Sequence, residues 1–141
     1  MSTRAQAVAA VKTLAGFVNP AQLCAIASAM RGEEKEFFFD KVVELSSTVT
    51  TMPKTYEQDG KGDAAVVSLH YFTGGADWFI TERDIDSDGE GQIQAFGLAD
   101  LFGDGGELGY ISIPELLSVG AEIDLHFTPK TLGEIRKARR S

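Results

Sequence analysis

The eight-residue segment DIDSDGEG, which begins at Asp84, has the residue types that open a calcium-binding loop. Asp84, Asp86 and Asp88 alternate along it, and Gly89 follows directly. An EF-hand takes oxygen ligands from positions 1, 3 and 5, glycine at position 6 and a bidentate glutamate at position 12. Position 12 is here Ala95, which has no carboxylate, and both flanks have strand rather than helix composition. The three aspartates are therefore a weak candidate metal site, and the alternative is the polar tip of a hairpin.

A second set of candidates is the single cysteine, Cys24, together with the two histidines, His70 and His126. A cysteine nucleophile needs a neighbouring base, and structural zinc needs closely paired ligands. The spacing supports neither arrangement. We therefore expect no catalytic residue and no cofactor, and we predict a buried, structural cysteine. A lone cysteine forms no internal disulfide, which suits a reducing cytoplasm.

Charge is distributed unevenly along the 141 residues, whose formal net charge is −8. Residues 1–63 are nearly neutral, residues 64–128 carry 12 acidic side chains against one basic, and residues 129–141 are basic. An acidic body of this kind should repel nucleic acid and favour a protein partner with a basic surface. The alternative is that the charge serves only solubility.

Partner contact is predicted for acids at expected turns and for one aromatic outside a helical stripe, namely Asp84, Asp86, Asp88, Glu90, Asp104 and Phe37. The alternative for Phe37 is packing on the first helix or the sheet. Whether Glu82, Glu107 and Asp124 meet at one site stays open at this point. The basic tail could contact nucleic acid, stay solvated or fold against the acidic body through Arg136, Lys137, Arg139 and Arg140.

The first half of the chain predicts about three helices, within residues 1–53. Ser2 or Thr3 can cap the first helix, and Asn19 followed by Pro20 opens the second. Apolar residues recur at helical spacing in all three helices. The inward-facing residues are predicted to be Val8, Val11, Leu14 and Ala15; Leu23, Ile26, Ala27 and Met30; and Phe38, Val42, Leu45, Val49 and Met52.

The second half changes to the alternating period of strands. Strands are predicted at 64–72, 76–84, 92–102, 107–113 and 121–127, with a short helix opened by Pro114. Short glycine-rich turns favour an antiparallel sheet of four to five strands. Helices followed by strands predict one α+β domain, made of a helical part (1–53), an acidic β part (64–128) and a basic tail (129–141).

No apolar run approaches the roughly 20 residues that a membrane-spanning helix needs, and the N-terminus does not have the pattern of a secretory leader. We therefore expect a cytoplasmic protein without membrane contact.

Four ordered motifs, DWFITE, FGLADL, ELGYISIPEL and DLHF, resemble a family of unknown function found in proteins of plasmids, phages and conjugative elements. The resemblance covers about residues 64–130. It implies that the segment between the first two motifs varies, which favours a hairpin tip over a metal loop at Asp84.

The resemblance supplies a setting but no activity. Small proteins of mobile elements often act by binding, for example as anti-restriction or anti-CRISPR inhibitors. We expect such an accessory protein, docking its acidic half on a basic surface of a nucleic-acid-handling complex. Two alternatives remain at this point: an enzyme or factor of plasmid or phage DNA metabolism with a carboxylate and histidine site, and a structural calcium module.

Overall fold

A computed structural model describes residues 1–85, 92 and 94–139 of the chain. The protein is an α+β single domain, as predicted, with N-terminal helices followed by a sheet. The helices are α1 (Arg4–Thr13), α2 (Pro20–Ala29), α3 (Lys35–Thr51), α4 (Ile113–Ser118) and α5 (Leu132–Arg139). The strands are β1 (Val66–Val67), β2 (Leu69–Thr73), β3 (Ala76–Glu82), β4 (Ala95–Asp100), β5 (Glu107–Ile111), β6 (Glu122–Ile123) and β7 (Lys130–Thr131).

The predicted helix caps of α1 and α2 are confirmed. Thr3 accepts a hydrogen bond from the backbone of Gln6, whose side chain accepts from the backbone of Thr3 in return. Asn19 accepts from the backbone of Gln22, and Pro20 takes the first helical position of α2. These contacts satisfy backbone N–H groups that have no partner within the helix.

Within the described residues, the main sheet has five strands in the order β5-β4-β3-β2-β6, all antiparallel. Successive side chains alternate between its two faces. One face carries Leu69, Tyr71 and Ile80 and packs on α1–α3. The opposite face carries Phe79 and Leu98 and packs on buried side chains of α5. The sheet is thus covered on both sides at its centre.

The hydroxyl of Tyr71 ties the helical half to the sheet. This side chain is fully buried, and its hydroxyl donates to the carbonyl of Phe17 at 2.6 Å. Burial raises the pKa of Tyr71 far above its ordinary value, so the phenol stays protonated. A buried phenol needs such a partner, because an unpaired hydroxyl in the core is costly.

Three predicted strands differ from the observed ones only at their ends, and two differ more. The strand predicted at 64–72 divides at Ser68, because β1 pairs with β7 while β2 pairs with β3 and β6. The strand predicted at 121–127 is only Glu122–Ile123. It ends because the side chain of Asp124 accepts from the backbone of His126, which closes a turn.

Three residue placements were also wrong, and one of them is Ala15, which was predicted to face inward but is exposed. Val8 is exposed, and α1 instead buries Ala7 and Ala10, since small alanines let it approach α3 closely. Cys24 is exposed rather than buried. Consecutive helical residues point about 100° apart, so a helix that turns Ile26 inward turns Cys24 towards solvent.

Two glycines that pair across β4 and β5 differ sharply in their surroundings. A methyl group added at Gly97 would lie 2.0 Å from the carbonyl oxygen of Phe79, whereas one at Gly109 would meet nothing within 4 Å. The backbones of β3 and β4 therefore approach more closely at Gly97 than any larger residue allows.

We predict that Gly97→Ala destabilises the protein by about 1–3 kcal/mol or more, because the two central strands must separate. Gly109→Ala is the matched control and should change the free energy of unfolding by less than about 1 kcal/mol. Urea denaturation of the two variants measures both values. Equal stability of the two variants would contradict this account of β3–β4 packing.

Candidate functional site: a pocket formed by Tyr56, Glu82 and Tyr110

The pairing of β3 with β4 contains a β-bulge at Thr81. Ile80 pairs with Gly97, but the next pair is Glu82 with Phe96, so Thr81 is an extra residue. Without the bulge, Glu82 would follow the alternation into the face that packs on the helices. With it, Glu82 lies on the opposite face, beside Phe96. Bulges commonly redirect side chains next to functional sites.

The segment between α3 and β1 forms a wall over this part of the sheet. Thr55 donates its backbone N–H to the carbonyl of Arg83 at 2.8 Å. Gln58 is buried, and its amide nitrogen donates to the carbonyls of Val66 and Thr81 at 2.9 and 2.8 Å. Side-chain hydrogen bonds thus hold this polar segment against the end of β3.

Between this wall and the sheet lies an open cavity of about 520 Å³. Polar side chains and an apolar floor line it together, including Tyr56, Asp59, Thr81, Glu82, Phe96, Leu108 and Tyr110. We call this cavity the Tyr-Glu pocket. Ligand sites typically combine such an apolar lining with a few convergent polar groups.

Glu82 is the most buried charged group of the Tyr-Glu pocket, with 5% of its surface exposed. Its Oε1 accepts from the backbone N–H of Tyr56 at 2.6 Å, and its Oε2 lies 3.2 Å from the hydroxyl of Thr81. None of the ion pairs in the described part of the chain includes Glu82. Among the described residues, the hydrogen-bond donors to Glu82 are therefore both neutral.

Two tyrosines meet at the rim of the Tyr-Glu pocket. The hydroxyls of Tyr56 and Tyr110 lie 2.7 Å apart, and the ring of Tyr110 stands edge-on to Phe96 at 5.7 Å. The hydrogen bond with Tyr56, followed by partial burial, raises the pKa of Tyr110 above its usual range. The phenol of Tyr110 therefore stays protonated at physiological pH.

The three acids whose meeting was left open do not form one site. Glu82 lies in the Tyr-Glu pocket, whereas Glu107 is exposed at the start of edge strand β5. Asp124 lies beyond β6 and contacts His70. The described residues contain no group of three or more metal-ligating side chains that could hold an ion.

Asp84 is the one acid of the candidate calcium segment within the described residues. It is buried, its Oδ2 accepts from the backbone of Gln94 at 3.0 Å, and its own N–H donates to Gln92. Asp84 thus closes the base of the hairpin. Asp86, Asp88 and Glu90 lie outside the described residues.

The two remaining candidates for partner contact are both exposed. Phe37 is 42% exposed, and its ring lies edge-on to Phe38 and 5.9 Å from the ring of His126. Asp104 lies between β4 and β5, where it accepts from the backbone of Gly106. Phe37 thus lies on α3, and Asp104 in the turn between β4 and β5.

His70 belongs to a polar cluster at the other end of the covered face. Its Nε2 lies 2.8 Å from Asp77 and its Nδ1 3.1 Å from Asp124, and its ring stacks on Phe79 at 4.6 Å. Both ring nitrogens face carboxylates. This arrangement positions β2 against β3 and the 124–127 turn.

Arg139 extends this cluster and fastens the basic tail to the sheet. Its guanidinium bonds Asp100 at 2.8 and 2.5 Å and Asp77 at 3.2 Å, and it lies over the ring of Phe79. Burial of Asp100, which is 1% exposed, favours the protonated acid, but the hydrogen bonds and charge of Arg139 outweigh it and lower the pKa of that carboxyl. Of the three alternatives for the basic tail, the structure therefore shows the one in which the tail folds against the acidic body.

In the part of the chain that the structure describes, no helix is both long and apolar enough to cross a lipid bilayer. The fold and the pocket define a compact α+β domain with a carboxylate at the base of an aromatic cavity. The chain belongs to the family described as protein of unknown function (DUF2958), whose model matches residues 42–132 and thus more than half of the chain. No curated protein and no solved structure matches it.

All residues that line the Tyr-Glu pocket fall within the matched segment, whereas α1, α2 and Phe37 lie before it. Sequence reasoning singled out Glu82 within the DWFITE motif but missed Tyr56 and Tyr110. The signal for Tyr56 was weak, since TYEQDGKG has the composition of an ordinary polar loop. Only its fold over β3 brings the two tyrosines together.

Tyr56 is the one non-glycine residue of the described chain with a left-handed backbone, at a φ of 78°. Its side chain is 61% exposed, so burial recovers little of that strain. We predict that Tyr56→Gly is more stable than Tyr56→Ala by about 1 kcal/mol, because both lose the ring but only glycine relieves the strain. Thermal unfolding of the two variants measures the difference. A higher stability of Tyr56→Ala than of Tyr56→Gly would contradict this prediction.

The Asp100 contact makes a prediction about pH. A carboxyl group whose pKa is lower in the folded than in the unfolded protein contributes stability at pH values above its unfolded-state pKa. This contribution is lost as the pH falls through its folded-state pKa. Arg139→Gln should therefore lower the unfolding free energy at pH 7, and the deficit should shrink below about pH 4. Lys12→Gln, an exposed charge on α1, is the control in urea titrations across pH. A deficit that is constant with pH would contradict the assignment.

Proposed function

We propose that this protein is a small acidic accessory protein of a mobile genetic element, in the cytoplasm, that acts by binding a protein with a basic surface. An anti-defence inhibitor of the anti-restriction or anti-CRISPR type, directed at a nucleic-acid-handling complex, is the specific form we propose. The motif resemblance to proteins of plasmids, phages and conjugative elements supports this setting.

The observation that carries the proposal is an exposed apolar surface on the free edge of the sheet. Among the described strands, β5 pairs only with β4, and beside it Phe102 is 85% exposed, with Leu101, Leu108 and Tyr110 also exposed. A groove of about 350 Å³ runs between these residues. Monomeric proteins rarely expose large aromatics in such a group unless they contact a partner. We call Leu101, Phe102, Leu108 and Tyr110 the edge patch.

The charges around the edge patch support a basic partner. Asp104 and Glu107 border it, and residues 64–128 hold 12 acids against the single basic residue Arg83. A second copy of the chain would bring like charges together, which is repulsive. A basic protein surface combines favourable charge with apolar contact at the centre.

A carboxylate and histidine enzyme is the second candidate that sequence reasoning left open. His70 and its carboxylates do lie together, but the hydrogen bonds occupy both ring nitrogens. The binding proposal therefore has the stronger support from the geometry.

We predict that a partner captured from a plasmid-bearing or phage-infected host is lost when the edge patch is changed to Leu101→Ser with Phe102→Ser. Val119→Ser, an exposed apolar residue beyond α4, is the matched control and should retain capture. Mass spectrometry identifies the proteins that follow this pattern. Equal capture by both variants would contradict the proposal.

With the captured partner, raising salt from about 50 to 500 mM should slow association markedly, since the screening length falls from about 14 to 4 Å. Dissociation should change less. Duplex DNA should not bind a variant carrying Arg136→Gln and Lys137→Gln. Substitution is preferable to deletion of the basic tail, because α5 buries Leu132 and Ile135 and its removal would disturb the fold. An association rate independent of salt, or tight DNA binding, would contradict electrostatic docking.

A further inference from the structure

The carboxylate of Glu82 has unused capacity to accept hydrogen bonds. An ionised carboxylate offers about four acceptor positions, and the described contacts of Glu82 use at most two of them. One accepts from the backbone of Tyr56, and the other faces the hydroxyl of Thr81, whose single proton is shared with the carbonyl of Phe96. Both donors are neutral, although burying a charge without a counter-charge is costly. A cation that entered the Tyr-Glu pocket would compensate this charge.

The aromatic lining favours the same class of ligand. Tyr56, Phe96 and Tyr110 line the cavity together with Glu82. Aromatic rings attract cations through their negative faces, and this attraction is strongest where water is displaced. Asp59 adds a further carboxylate at the lining. An anion would be repelled by both acids, and a purely apolar ligand would remove water from Glu82 without replacing its hydrogen bonds.

Among cations, a guanidinium fits the acceptors better than an ammonium. It is planar, carries five N–H donors and can bond two carboxylate oxygens at once while stacking on aromatic rings. A cavity of about 520 Å³ also has room for the methylene stem, which would lie on Phe96 and Leu108. A metal ion is disfavoured, because no metal-ligating cluster exists among the described residues.

We propose that the Tyr-Glu pocket binds an arginine side chain, held by the carboxylate of Glu82 and by the rings of Tyr56, Phe96 and Tyr110. The source of that arginine, a residue protruding from the basic partner, rests on the proposed function. The preference of the pocket for a guanidinium does not, so the two can be tested separately.

The direct test is a titration of the isolated protein with three acetylated and amidated tripeptides, Gly-Arg-Gly, Gly-citrulline-Gly and Gly-Lys-Gly, followed by NMR of the backbone amides. Citrulline has nearly the shape of arginine but no charge. The arginine peptide should shift amides of segment 55–62, the end of β3 and β5, and should bind at least about tenfold more tightly than the citrulline peptide. The lysine peptide should bind more weakly than the arginine peptide.

Glu82→Gln should weaken binding of the arginine peptide at least about tenfold, because the amide keeps a hydrogen-bond acceptor but removes the charge. Glu122→Gln makes the same charge change at an exposed position on β6, at the opposite edge of the sheet, and should leave binding unchanged. Tyr110→Leu, at an exposed position, keeps apolar volume without an aromatic face and should weaken binding several-fold. It also keeps the test decisive if Glu82→Gln does not fold.

Equal affinity for citrulline and arginine, tighter binding of lysine, or unchanged binding in both pocket variants would overturn this inference. If the arginine peptide binds but no partner depends on the edge patch, the pocket assignment stands and the proposed function fails. If a partner depends on the edge patch while the pocket ignores arginine, the proposed function stands and the pocket assignment fails.

Discussion

The close pairing of β3 with β4 is the constraint on which the rest of this structure depends. Gly97 allows the two backbones to approach where a methyl group would lie 2.0 Å from the carbonyl of Phe79. The bulge at Thr81 then shifts the register by one residue. Before the bulge, Asp77 and Asp100 lie opposite each other and receive Arg139; after it, Glu82 lies beside Phe96. One pairing therefore positions both polar sites of the covered face.

The two polar sites on this face have opposite energetic characters. Asp77 and Asp100 have a cation, Arg139, which is supplied from within the chain and fixes α5 on the sheet. Glu82 is nearly as buried as Asp100, but it belongs to none of the ion pairs in the described ranges and opens to a cavity. Removing a charge from water without a counter-charge is unfavourable. Such destabilising features are commonly found at binding sites, where a ligand compensates for them. The strained backbone of Tyr56, whose N–H bonds this carboxylate, is consistent with the same view.

The edge patch and the Tyr-Glu pocket share β5. Leu108 and Tyr110 belong to both, with their side chains between the free edge of the sheet and Phe96. A partner that covers the edge patch therefore lies close enough to direct a long side chain into the pocket. Apolar contact at the edge would supply affinity, and a buried charge pair would supply selectivity, because a partner without the cation would leave Glu82 desolvated.

The sequence by itself determined the α+β class, the capped helices, the antiparallel sheet and the acidic character of the second half, because these follow from local periodicity, caps, turn residues and composition. It also marked Glu82 and Phe96 as parts of motifs. It did not determine where strands end, since the backbone N–H of Ser68 donates to the carbonyl of Ile80 and that of Asp124 to the carbonyl of His70, both far away along the chain. Above all, the bulge at Thr81 and the fold of the 55–62 segment over β3 were decided by tertiary structure. A one-residue change in register reverses the face of a side chain, and no local pattern records which register the neighbouring strand imposes.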